Sequence, residues 1–239
     1  MGTIWAIGKR EFASFFNSPV AYLAICLFLF AIGAMFFWWE DFIDQGQTTM
    51  RTFFEWVPWL FIFLLPAISM RLVAEEKRTG SFEMLITMPI RDAELLLGKL
   101  LGASLFLVVT LVLTLAYPLV INQYGSLDLG PVLGGYIGLF FVGLAFLSLG
   151  LLASTWTKNQ IVAFLLGAVL CAFFFGLHKF VGVFSPGLRD TVAVLSLSDY
   201  FETFAKGVID TRGLIYCLSI TILSVLIGTY SLESRRWSR

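Results

Sequence analysis

Six long apolar runs constrain what this chain can become. They cover Pro19–Trp39, Phe53–Met70, Leu100–Ile121, Val132–Leu152, Ile161–Leu177 and Leu214–Leu232, and apart from Glu55 none holds an Asp, Glu, Lys or Arg. About 20 residues at 1.5 Å each cross a hydrocarbon core about 30 Å thick, so each run is read as a transmembrane helix. With 59% of its residues hydrophobic and only 13% charged, the chain holds too much contiguous apolar surface for a water-solvated core. The fold class expected is an all-α membrane protein with six spans.

The segments around these runs set the topology. Over Thr3–Asn17 a helical wheel gathers Ile4, Trp5, Gly8, Phe12, Phe15 and Phe16 on one arc. Thr3, Arg10, Ser14 and Asn17 lie on another, with Lys9 and Glu11 at the margins. Residues 1–18 are therefore expected to form an amphipathic helix at the membrane surface, with Trp5, Lys9, Arg10, Phe12 and Phe16 at the interface. Packing on the protein fits the same pattern, and both can hold at once. Pro19 turns the chain into the first span, which ends at Trp38, Trp39, Glu40 and Asp41. A cleavable signal peptide is not expected, because no short apolar core precedes a small-residue cleavage site.

Span two contains Pro58 and Pro66 and is expected to be kinked or locally unwound, either as a hinge or for packing. Asp92 and Glu94 suit the positive end of a helix leading into span three, with Arg91 to Lys99 as its charged entry. Span four carries Gly134, Gly135, Gly138, Gly143 and Gly150, a pattern that lets helices approach closely. Residues 178–212 alternate short apolar pieces with charges and are expected to form one or two short helices at the outer leaflet.

Orientation follows from the basic residues. With the N-terminus inside, eleven of the sixteen Lys and Arg lie on the cytoplasmic side and five outside, so both termini are placed in the cytoplasm. The formal net charge of zero offers no field for nucleic acid. Cys26, Cys171 and Cys217 have no paired spacing and His178 stands alone, so neither a disulfide nor a metal site is expected. No phosphate-binding glycine loop or nucleophile–base pair occurs, which points away from an enzyme. The spans hold no ionisable residue except Glu55 at the outer end of span two, which weakens an ion-coupled carrier.

Energy must then enter from outside the membrane, and Arg71–Lys99 is the longest charged interruption. Gly80 can begin a helix with Glu83 three residues on, and Pro89 ends it. Phe82, Met84, Leu85, Ile86 and Met88 would give that helix an apolar surface better explained by a docked partner than by water.

The amphipathic start, the six spans and the segment EEKRTGSFEMLITMPIRDAELLLGKLLG together resemble the membrane permease of the ABC-2 type exporter family. SLSDYFETFAKGVIDTRGLIYCLSI and the ending SLESRRW resemble more specifically its gliding-motility subgroup. The resemblance implies that residues 1–18 are the elbow helix, that 19–239 form the six-span domain, and that residues 178–212 are re-entrant outer helices. It makes Glu75–Pro89 the coupling helix seated in a groove of a cassette ATPase, with Glu75, Glu76, Arg78, Thr79, Gly80, Ser81, Phe82, Glu83, Leu85, Ile86 and Pro89 as docking residues. ATP and magnesium would belong to that partner, and this chain would hold no cofactor. A second permease is also implied, either a different one with an external domain or a second copy, in a bacterial inner membrane. The alternative within the resemblance is a mechanical subunit that drives an external partner without moving a substrate.

Overall fold

The computed structural model describes residues 2–36, 49–81, 90–123, 127–184 and 195–237, and among these the chain is all helix. In order the helices are α1 (Gly2–Phe16), α2 (Pro19–Ala34), α3 (Arg51–Thr79), α4 (Asp92–Thr114), α5 (Ala116–Ile121), α6 (Leu129–Trp156), α7 (Gln160–Phe184), α8 (Leu197–Ala205) and α9 (Thr211–Trp237). Five segments are long and apolar enough to span a membrane: α3, α4 with α5, α6, Gln160–Leu177 of α7, and Thr211–Ser234 of α9. The first expected span differs. Among the described residues it is the 16-residue α2, which passes the same test only together with α1, from which it is bent by 74°. Trp38 to Asp41 lie outside the described residues.

The bend has a local cause. Ser18 is extended (φ −108°, ψ 133°), as a residue before proline must be, and Pro19 supplies the first helical position of α2. Ser18 Oγ accepts from the Val20 N–H at 3.4 Å and so caps the new helix.

The bundle is built around α6, which packs against α3, α4, α7, α8 and α9. Its glycines are where neighbours enter. A β-carbon on Gly135 would sit 2.4 Å from the Phe54 ring, one on Gly143 would sit 2.6 Å from Leu107, and one on Gly150 would sit 2.0 Å from Ser69 Oγ. Close helix approach is thus borne out, but every one of these contacts is made within the chain. The same glycines are not left over to form a seam with a second copy.

Span two corrects the expectation of unwinding. Pro58 and Pro66 both lie inside α3, one continuous helix of 29 residues. At Pro66 three helices converge, because Gly150 of α6 and Gly167 of α7 leave room for the proline. Span three, expected as one helix, breaks at Leu115 between α4 and α5. Pro118 has no N–H to give the Thr114 carbonyl four residues back, and its ring crowds that group. The Tyr136 hydroxyl takes the vacant place and donates to Thr114 O at 3.0 Å.

Within residues 178–212, α7 continues to Phe184 and α8 is one short amphipathic helix; residues 185–194 lie outside the described set. Phe204 of α8 is fully buried in a notch formed by Gly138 of α6 and Gly213 of α9. Gly207 (φ +85°) then turns the chain away against Gly130 and Pro131.

Candidate functional site

The 29 residues of α3 exceed what a bilayer needs. About 20 residues cross the hydrocarbon, so the turns after Met70 project beyond the apolar stretch as a stem. Three attachments hold the stem to the bundle. Ser154 Oγ, fully buried on α6, accepts from the Val73 and Ala74 N–H groups at 3.2 and 2.9 Å and donates to Met70 O at 2.9 Å. One hydroxyl thereby makes every bond it has. Lys77 Nζ donates to the Thr155 carbonyl near the C-terminus of α6, where the helix dipole favours a cation. The third attachment is Lys99.

Lys99, expected as the last residue of the charged entry to span three, is buried in the bundle. It lies within α4, its side chain is 0% exposed, and its Nζ donates to Glu76 Oε1 at 2.6 Å and to Glu11 Oε1 at 3.2 Å. A lysine buried this completely persists only where carboxylates replace its water. One carboxylate comes from the stem and the other from α1, so three helices meet at a single ammonium. Burial pushes the Glu76 carboxyl above its ordinary 4.5, with the attraction of Lys99 opposing that rise. Its second oxygen, Oε2, is buried with no hydrogen-bond partner among the described residues.

Helix α1 reaches this cluster by close backbone approach. A β-carbon on Gly98 would sit 2.7 Å from Ile7, one on Gly102 2.7 Å from Glu11 Cβ, and one on Gly8 2.5 Å from Leu101. Phe15 and Phe16 extend the contact to Phe106, with ring centroids 5.3 and 5.9 Å away. The face of α1 against the bundle therefore takes in Gly8, Phe15 and Phe16 of the expected arc and adds Ile7 and Glu11, while Trp5 stays exposed. Trp5, Lys9 and Arg10 are exposed, while Phe12 and Phe16 are half-buried. Packing on the protein is observed, and the exposed Trp5 leaves an apolar group at the surface.

The stem ends at Thr79–Gly80–Ser81. Gly80 adopts φ +77° and closes α3, and Ser81 directly after it is helical again, so the glycine that the sequence reading placed at a helix start also ends the helix before it. Thr79 Oγ1 donates to Glu75 O at 3.0 Å, and Ser81 Oγ lies 3.4 Å from Glu76 O, occupying the last carbonyls. Of the expected docking residues, Glu75, Glu76, Arg78 and Thr79 thus lie on the stem, with Gly80 and Ser81 at its stop. Arg71 and Glu75 pair at 3.0 Å along its surface. Phe82, Glu83, Leu85, Ile86 and Pro89 lie outside the described residues. A 460 Å³ pocket between the stem and α1 is lined by Arg10, Glu11, Arg71, Glu75, Glu76 and Ser81.

Sequence reasoning missed Lys99, Glu11 and Ser154. A signal for Lys99 existed, because Leu95, Leu96, Gly102 and Ala103 are all buried and stand three or four residues from it. Extending the wheel of span three upstream past the charge puts Lys99 on that face.

Residues 40–228 match the model of a family described as ABC-2 family transporter protein. No curated protein matches the chain.

Proposed function

The chain belongs to the ABC-2 family of transporter proteins, and from that membership we propose that it is the permease subunit of an ATP-binding cassette exporter, driven by a separate ATPase that docks at the cytoplasmic end of α3. The observation that carries this reading is the stem. An ATPase pushing on the segment after Gly80 meets a helix fixed at Ser154, Lys77 and Lys99, so displacement passes to α6, α4 and α1 instead of dissipating in a loose connector. Eleven of the sixteen basic residues on that side support a cytoplasmic placement of the stem and both termini. ATP and magnesium belong to the ATPase, and a second permease, a different one or a second copy, completes the unit in the inner membrane.

Co-expression with the cognate ATPase tests the docking. A cysteine at Ser81→Cys is expected to cross-link to the ATPase, and Glu83→Ala with Leu85→Ala is expected to abolish co-purification and permease-dependent ATP turnover. Unchanged assembly and turnover in that double variant would overturn the assignment. The mechanical reading, with the gliding-type permease as its model, is separated by following nucleotide-driven movement of cargo across a sealed membrane. Turnover without any transfer would favour it.

A further inference from the structure

At the end of the bundle opposite Lys99, helices α3, α7 and α8 enclose a cavity of 530 Å³, a volume suited to a small ligand or a lipid head group. Trp56 and Trp59 line it from α3, and both are half-buried. Phe175 of α7 meets Trp59 edge-on, with centroids 5.3 Å apart and planes at 86°, which fixes the indole as a wall. A tryptophan at the end of a span is ordinarily an interfacial anchor. What distinguishes this pair is the polar group set beside it.

Ser198 lines the cavity and is only 6% exposed. Ser196 Oγ donates to the Phe175 carbonyl at 3.2 Å, which uses its single proton. The 2.9 Å contact between the two hydroxyls must therefore be donated by Ser198, whose remaining capacity is that of an acceptor. Around the mouth stand Arg51, Glu55, Glu202 and Lys206, two cations and two carboxylates. Arg51 and Glu55 pair at 3.1 Å but are 76% and 59% exposed, and a pair so open to solvent is weak, so either partner is readily exchanged for a ligand group. Glu202 and Lys206 make no ion pair among the described residues.

We propose that this cavity binds a zwitterionic lipid, with the ammonium of its head group against Trp56, Trp59 and the carboxylates, and its phosphate against Arg51 and Lys206. An ammonium gains from an indole face, from Glu55 or Glu202, and from the acceptor Ser198. A phosphate gains charge-assisted bonds from a guanidinium and a lysine. A head group of one sign would leave two like charges facing it, and a neutral sugar would leave Glu202 and Lys206 without counter-ions. Phe63, one turn deeper on the same helix than Trp59, is 60% exposed and offers an acyl chain an apolar path out of the cavity. The site does not depend on the coupling reading, so the chain without any ATPase tests it.

The measurement is native mass spectrometry of the purified full chain released from a non-ionic polyoxyethylene detergent, with phosphatidylethanolamine, phosphatidylglycerol and a glucosyl diacylglycerol added in turn at equal concentration. One phosphatidylethanolamine is expected to be retained about tenfold more tightly than the other two, the preference lost with roughly one missing charge or cation–π contact. Trp59→Leu and Lys206→Ala should each remove that preference, while Phe30→Ala on α2 should keep it. Thermal melting of each variant separates lost binding from lost folding, and Lys206→Arg, which keeps the charge, serves as the conservative control. Equal retention of the three lipids, preference for the anionic or sugar lipid, or a preference that survives Trp59→Leu would overturn the proposal.

Discussion

At Lys99 a full positive charge sits where no water reaches it, and its stability rests on carboxylates from two other helices. Removing the ammonium leaves Glu11 and Glu76 facing each other without the cation that both contact. Breaking such a buried group typically costs about 3–5 kcal/mol, so Lys99→Ala is expected to lower the melting temperature sharply in detergent. The triple variant Lys99→Met, Glu11→Gln, Glu76→Gln should recover most of the loss, since no buried charge then lacks a partner. A triple variant no more stable than Lys99→Ala would show that the ions act by packing alone. Glu76 adds a pH signature. Its carboxyl is raised above 4.5 in the folded chain, chiefly by burial, so the folded state holds that proton more tightly than the unfolded one. The stability it contributes is complete below 4.5 and declines as pH rises through the raised value. Melting measured from acid to neutral pH should therefore show a decline that Glu76→Gln reduces, and identical profiles for the two proteins would contradict the assignment.

Helix by helix, the apolar stretches were legible in the sequence because hydropathy reads length and charge, while the ends of helices were not. Thr79–Gly80–Ser81 shows why. Hydroxyls and glycine occur at both helix starts and helix stops, and the left-handed φ of +77° at Gly80 is what closes α3 there. Among the described residues no atom lies within 4 Å of a β-carbon at Gly80, so Gly80→Ala is opposed by backbone conformation, about 1–2 kcal/mol. That variant is expected to let α3 run on and to weaken ATPase stimulation, whereas Gly80→Asn, which tolerates the left-handed region, should retain it. Span two was read only in part for a related reason: a proline pair signals a missing hydrogen bond, but not whether neighbours keep the helix continuous. In α6 the glycine signal was read for what it is, although not for which partner it serves. Gly135→Val would drive a side chain into Phe54, and overpacking of this kind costs about 1–3 kcal/mol. Adding Phe54→Leu should restore part of the melting temperature, and no restoration would mean that the clash is not with that ring.

For the molecule as a whole, the joint at Lys99 makes a claim about what moves with what. Helix α1 has two means of following the bundle: its glycine-mediated contact with α4, and the Glu11–Lys99–Glu76 bridge that ties it to the stem of α3. The first binds α1 to α4, and the second reaches α3, the helix that precedes the proposed docking segment. If coupling runs along the stem, nucleotide-driven closure of an ATPase should change amide exchange in α3 and, through the bridge, in α1. The charge-free triple variant is the informative one, because it keeps the fold while removing the link. It is expected to assemble with the ATPase and turn over ATP, since the docking segment beyond Gly80 is untouched, yet to show nucleotide-dependent exchange in α3 without the matching change in α1. Hydrogen exchange on the reconstituted complex, with and without a trapped nucleotide, reads both helices in one experiment. An unchanged response of α1 in that variant would assign the transmission to the Gly8–Gly98–Gly102 contact, and the buried ions would then serve folding alone.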